Sequence, residues 1–370
     1  MQIVMSPEDT VMMSDEDKMV IEYRAHLVKK ILFIILCLAV VIVAIGISLG
    51  IGSREIGFER VYELLFNHIM GVQYPPGSED WIEDSVIWDF RLPRTLFAII
   101  AGAALAVGGV AMQGVMNNPL ADPYTTGISS GACFGVSVSI ILGINIAQNQ
   151  LSDLGEIVNA FIFSLIPVAL IIMISPKTKS SPATLILAGT AIAYIFNALN
   201  TFMMVTTEEE TLAEVYLWQV GSIADMTWHD IPLVFFTTVI GVAIIGLLSQ
   251  KLNILSLGET SAKSLGIDVD GLRSILLVVM AFMVAAVVSY AGIIGFLGLV
   301  TPHIVRMLID SDNKYVIPAS ALFSGALLLT CDIISRIVSP MGEVAVGVVI
   351  SFVGAPIFLY LLVRKNANLW

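Results

Sequence analysis

Arg91-Leu92-Pro93-Arg94 sets two guanidinium groups at the entrance to a long apolar run, and Arg336, four residues after Asp332, adds a third cation near the end of another. A planar guanidinium suits a carboxylate, so one reading of the three is a docking site for acidic side chains of an external partner. The other reading is snorkelling towards lipid headgroups. Asp332 and Arg336 stand acid first at a spacing of four, which predicts an ion pair within one helix. Gln113 and the stretch Asn117-Asn118-Pro119-Leu120-Ala121-Asp122-Pro123 form a second group of candidates. Proline disfavours helix in the residue before it, so this stretch ends a helix whether or not its amides do more than pack at an interface.

A third group is chemical only in outline. Gly258 and Lys263-Ser264 sketch a phosphate-binding loop, but Ala262 stands where a glycine must precede the lysine. Nucleotide binding is therefore not encoded there. The Leu, Ile and Ala pattern from Leu252 to Ile267 reads instead as two short helices hinged near Gly258 and stopped at Gly266. Such an apolar loop requires a protein partner or lies on lipid. Gly292, Gly295 and Gly298 lack the strand–turn–helix setting of a dinucleotide fingerprint. His303 has no second ligand at metal-binding spacing, and Cys37, Cys133 and Cys331 fall in apolar runs where packing is the expected role. No catalytic residue, metal site or cofactor is assigned to this chain.

The elements that position these residues follow from composition. Of 370 residues, 57% are hydrophobic and 13% charged, against about 25% charged in soluble domains. The bilayer is the solvent. Charge-free runs occupy 31–53, 95–121, 123–152, 157–176, 180–207, 231–250, 274–305, 315–331 and 344–363, most of them meeting the roughly 20 apolar residues a crossing helix needs. The 274–305 run would extend about 48 Å as one helix, well past the hydrocarbon. It must fold back, at Gly292-Ile293-Ile294-Gly295-Phe296-Leu297-Gly298. The result is an all-α integral membrane protein of ten segments, the eighth (about 294–309) short and interrupted by Pro302.

With the N-terminus inside, ten spans place all nine lysines on the cytoplasmic side. Arg91, Arg94 and Arg336 then lie outside and 252–266 inside. Residues 1–28 read as a cytoplasmic acidic tail rather than a signal peptide, and 29–366 as the membrane domain. The external stretch 53–90 carries Phe58, Val61, Leu64, Leu65 and Ile69 at helical spacing, a short amphipathic helix on the outer interface. Gly102, Ala103, Ala104, Ala106, Gly108, Gly109 and Ala111 make the second span slender enough to be central. A net charge of -12, carried largely by external loops and the tail, argues against a nucleic-acid partner. No Lys, Arg or acid is expected deep in a span, which disfavours an ion-coupled secondary transporter, and no paired His or carboxylates suggest an intramembrane enzyme.

Five motifs, RLPR (91–94), GAALAVGGVAMQGVMNNPLADPYTTGISSGA (102–132), LNILSLGETSAKSLGI (252–267), GIIGFLGLVTPHIVR (292–306) and GVVISFVGAPIFLYLL (347–362), resemble the FecCD family of ABC importer permeases. Members of that family carry iron-siderophores, haem and vitamin B12. The resemblance implies the type II importer fold, a homodimer in the cell membrane, two cytoplasmic ATPase subunits that hold ATP and Mg, and an external solute-binding protein. By the same likeness Arg91, Arg94 and Arg336 would receive glutamates of the binding protein. Leu252, Leu255, Leu257, Gly258, Glu259, Ala262, Leu265 and Gly266 would form the coupling helices seated on the ATPase. Asn118, Leu120, Ser181 and Pro182 would form the cytoplasmic gate, although Pro182 replaces a small polar residue common there. An iron-siderophore is the leading cargo, with corrinoid next and haem or an oxyanion behind.

Overall fold

The computed structural model describes residues 15–52, 54–147, 152–174, 182–338 and 344–363. Among them every regular element is helical: α1 (Asp15–Gly50), α2 (Phe58–Ile69), α3 (Glu79–Ser85), α4 (Leu92–Met116), α5 (Ile128–Leu142), α6 (Ser152–Ile174), α7 (Pro182–Val205), α8 (Glu209–Gln219), α9 (Ile231–Leu247), α10 (Ser249–Leu255), α11 (Glu259–Ser264), α12 (Val269–Ala291), α13 (Leu297–Ile309), α14 (Asn313–Ile337) and α15 (Val346–Val363). One π-helical turn, Val86–Arg91, leads into α4, and a 3-10 turn, Pro123–Thr126, leads into α5. Phe97, Met112, Ile128, Leu276 and their neighbours form the main core.

Six helices are long and apolar enough to cross a bilayer, and α9 joins them if it is taken with α10, from which it bends by 55°. Three shorter apolar helices, α5, α13 and α15, lie in other runs where the sequence predicts segments. The expected break in the 274–305 run is present: α12 stops at Ala291 and α13 starts at Leu297. Gly292 takes a positive φ of 67°, and Phe296 shares the left-handed region at φ 66°. Tyr124 donates to the Ile294 carbonyl at 3.0 Å and the Ser222 amide to the Ala291 carbonyl at 2.8 Å. Irregular backbone is thereby satisfied by protein rather than left open to lipid.

The middle of the bundle is α4, where 78% of the most apolar window is buried, against 28% in α1 and 22% in α7. Its start carries Pro93 in the first turn, where no amide is lost. Its small residues let backbones meet, as expected: a Cβ on Gly109 would fall inside the Gly298 carbonyl of α13, and one on Gly102 would strike the Ser324 backbone of α14. The helix ends where Asn117 turns left-handed at φ 44° and its amide returns to the Gln113 and Gly114 carbonyls.

At the Arg91 end, α2 forms at the spacing expected, but Val61 and Leu64 are fully buried against Leu49, Ile56 and Ile87. That stripe packs on protein instead of lying on the interface, while Phe66 and Ile69 stay exposed. Helices α3 and α8 have no counterpart among the sequence expectations. His68 stacks on Trp88 with centroids 4.0 Å apart, and Trp228 donates to the Trp88 carbonyl at 2.8 Å, tying α2 to the stretch after α8.

Candidate functional site

The predicted pair within α14 is present, Arg336 with Asp332, and Asp332 is fully buried. A second guanidinium shares the carboxylate: Arg94, from the first turn of α4, lies 2.7 Å from the other Asp332 oxygen. Arg336 also donates to the Ser48 carbonyl at 2.9 Å. Arg91 donates to the carbonyls of Leu49 at 2.6 Å and Gly50 at 3.1 Å, and to that of Arg54. The three arginines therefore do not stand out from the surface as free cations. They knit the ends of α1, α4 and α14 together. Their remaining faces line one cavity of about 310 Å³, completed by Ile51, Phe90 and Asp225.

At the opposite end, the 249–268 loop has the predicted two short helices, with Gly258 at φ 105° between them and Gly266 at φ 80° after the second. Its predicted residues divide by direction. Leu252, Leu255 and Ala262 are buried in the protomer, whereas Leu257 and Leu265 are 69% and 64% exposed. Two large apolar side chains raised on a helical loop form a contact surface that water does not favour. Glu259 opens α11 and bonds Lys263 at 2.7 Å and Arg273 at 3.1 Å. The Lys263 ammonium, and after it the Arg273 guanidinium, hold the Glu259 carboxyl below its ordinary pKa, and Glu259 raises that of Lys263.

Between α4 and α5, Asn118 Oδ1 accepts from the Leu120 amide at 3.0 Å, so the asparagine shapes the turn in which Leu120 projects, 45% exposed. Pro182 begins α7, and that helix meets the turn higher up, where Gly189 lies against the Thr125 and Thr126 backbone. Ser181 lies outside the described residues.

Charged and amide groups are buried within the bundle near the ends of its helices. Arg306 of α13 is 5% exposed and donates to Gln113 Oε1 of α4, while Gln113 Nε2 donates to the Leu299 carbonyl at 3.2 Å. Each charge there is matched by a partner, which is the condition for its presence in a membrane interior. Arg273, in the first turns of α12, was likewise unassigned. A cation one residue before a charge-free run was the available signal, but its partners come from other helices. Among the described residues no group of three His, Cys, Asp or Glu is placed to hold a metal.

A model of the FecCD transport family matches residues 38–364. The chain is 35% identical over 333 residues to the hemin transport system permease protein of Yersinia pestis, covering 90% of this chain and 95% of that one. It is 36% identical over 278 residues to the cobalamin import system permease protein of Halobacterium salinarum, covering 75% and 73%. With the iron(3+)-hydroxamate import system permease protein of Bacillus subtilis it shares 31% over 325 residues, covering 87% and 80%. A solved structure described as an inward-facing conformation of a metal-chelate type ABC transporter is similar to 90% of this chain and 99% of its own, at 29% identity and a TM-score of 0.78.

Proposed function

The chain belongs to the FecCD transport family, and we propose that it is the permease subunit of a binding-protein-dependent ABC importer for a metal chelate, an iron-siderophore first and a corrinoid second. The observation that carries this reading is the 249–268 loop, seated on the bundle through Leu252, Leu255 and Ala262 while Leu257 and Leu265 face outward. That is the form of a lever with one side fixed and one side offered to another protein. ATP and Mg would be held by two such partner subunits, and nucleotide chemistry would reach this chain only as movement.

In this reading ten segments cross the cell membrane with both termini cytoplasmic, and two copies of the chain flank the pathway. The Asn118–Leu120 turn, with Ser181 and Pro182, closes that pathway towards the cytoplasm. The cavity lined by Arg91, Arg94 and Arg336 receives a carboxylate of the external binding protein. Two of these arginines already share Asp332, so Arg91→Gln is the cleaner test of docking. It should weaken binding-protein affinity several-fold with ATPase association intact, and unchanged affinity would remove the cavity from the docking site.

Reconstitution tests the main reading. Uptake of chelate into proteoliposomes should require the cognate ATPase, its binding protein and ATP together. Uptake driven by an ion gradient alone would overturn it in favour of a secondary transporter.

A further inference from the structure

We propose that Arg273 is a positioning residue that joins the 249–268 loop to the last turn of α4, so that movement of the loop is delivered to the Asn117–Leu120 turn. The proposal rests on the importer reading above and names a residue through which its loop would act.

The geometry begins with a buried cation. Arg273 is 3% exposed; its Nη2 lies 3.1 Å from Glu259 of α11, and its Nε donates to the Val115 carbonyl of α4 at 3.3 Å. One planar guanidinium thus spans two elements that are far apart in sequence. A lysine, with a single point of charge, lacks the fixed fork to hold both in the same geometry. Burying a guanidinium is costly, and where only filling is needed an apolar side chain serves as well or better. What the guanidinium adds is direction.

A second, independent contact falls on the same turn of α4. The fully buried Leu252 of α10 lies against Gly114, so close that a Cβ there would strike its Cδ2. Both short helices of the loop therefore bear on residues 114 and 115, three and two positions before the left-handed cap at Asn117. Asn253 completes the seating by donating to Asp312 at 2.8 Å and accepting from the Asn313 amide at 2.9 Å. A push on α11 would reach α4 through Arg273, and a push on α10 through Leu252. Each contact lies beside the turn where the chain leaves the helix.

The test uses the complete transporter in proteoliposomes, with permease, cognate ATPase and binding protein, and reads chelate imported per ATP hydrolysed. Arg273→Met keeps an unbranched apolar stem and removes both polar contacts. It should lower the ratio about tenfold, within the range of ordinary coupling energies, while the ATPase still co-purifies. Arg273→Lys should restore only part of it. Glu259→Gln breaks the loop half of the clasp and serves if the methionine variant does not fold; it too should lower the ratio. The double variant should be no worse than the more severe single one, because both act on one link. A wild-type ratio in either assembled variant would overturn the proposal, as would a fall in transport explained wholly by lost assembly. Failure of ATP-driven uptake by the wild-type complex would instead sink the importer reading itself.

Discussion

Asp332 is the residue on which the Arg91 end depends, because one fully buried carboxylate serves two guanidinium groups from two helices. Asp332→Asn leaves Arg94 and Arg336 facing each other across a neutral amide, and breaking a buried pair in this way costs about 3–5 kcal/mol. A thermal melt of the purified permease should show a large drop in Tm; an unchanged Tm would mean that the charges are not held by Asp332. Half of this cluster was legible in the sequence. Asp332 and Arg336 lie one helical turn apart, so spacing alone pairs them, whereas Arg94 is 238 residues away and no local rule can join it. Glu259 carries a different prediction, about pH. Its carboxyl pKa is depressed by Lys263 and Arg273, with Asp270 also near Lys263. The stabilisation is therefore complete above the ordinary glutamate value of about 4.3 and is lost only as pH falls through the lower folded value. Chelate imported per ATP should be level from pH 8 to about pH 5 as far as Glu259 is concerned, and a Glu259-dependent step near neutrality, absent in Glu259→Gln, would contradict this assignment.

Among elements, the 249–268 loop shows what periodicity can and cannot supply. Two short helices and their glycine hinge were evident from the pattern of Leu, Ile and Ala, but the pattern could not say which leucines face the bundle. The answer depends on Gly114, a gap in α4 that admits Leu252. Leu257 and Leu265 face outward instead, and surface substitutions of that kind usually alter stability by within about 0.5 kcal/mol. Leu257→Arg with Leu265→Arg should therefore leave the permease melt almost unmoved and abolish co-purification of the ATPase. Retained association would place the partner elsewhere. The break after α12 was equally legible, since 274–305 exceeds the bilayer and glycine marks the turn. Helix α8 was not, because Glu209, Glu210 and Glu214 look like loop residues when read for hydropathy.

At the scale of the molecule, hydropathy and lysine placement carry the expectation of ten oriented segments, and they could not rank the helices by depth. That ranking came from small residues: α4 is central because its glycines admit α13 and α14, while α1 and α7 leave most of their surface uncovered. The uncovered faces are where lipid and a second copy of the chain would lie in the proposed importer. The short helix α13 has a consequence for how the chain is made. Its 13 residues reach about 20 Å, roughly two-thirds of the hydrocarbon, and they carry Arg306. Arg306 lies in its last turn, and a helix this short that also carries a cation is poorly suited to enter the bilayer alone. Its partner, Gln113, is synthesised 193 residues earlier. The ribosome thus delivers the acceptor first and the cation much later, and α13 reaches its depth only by joining a helix that has been waiting there.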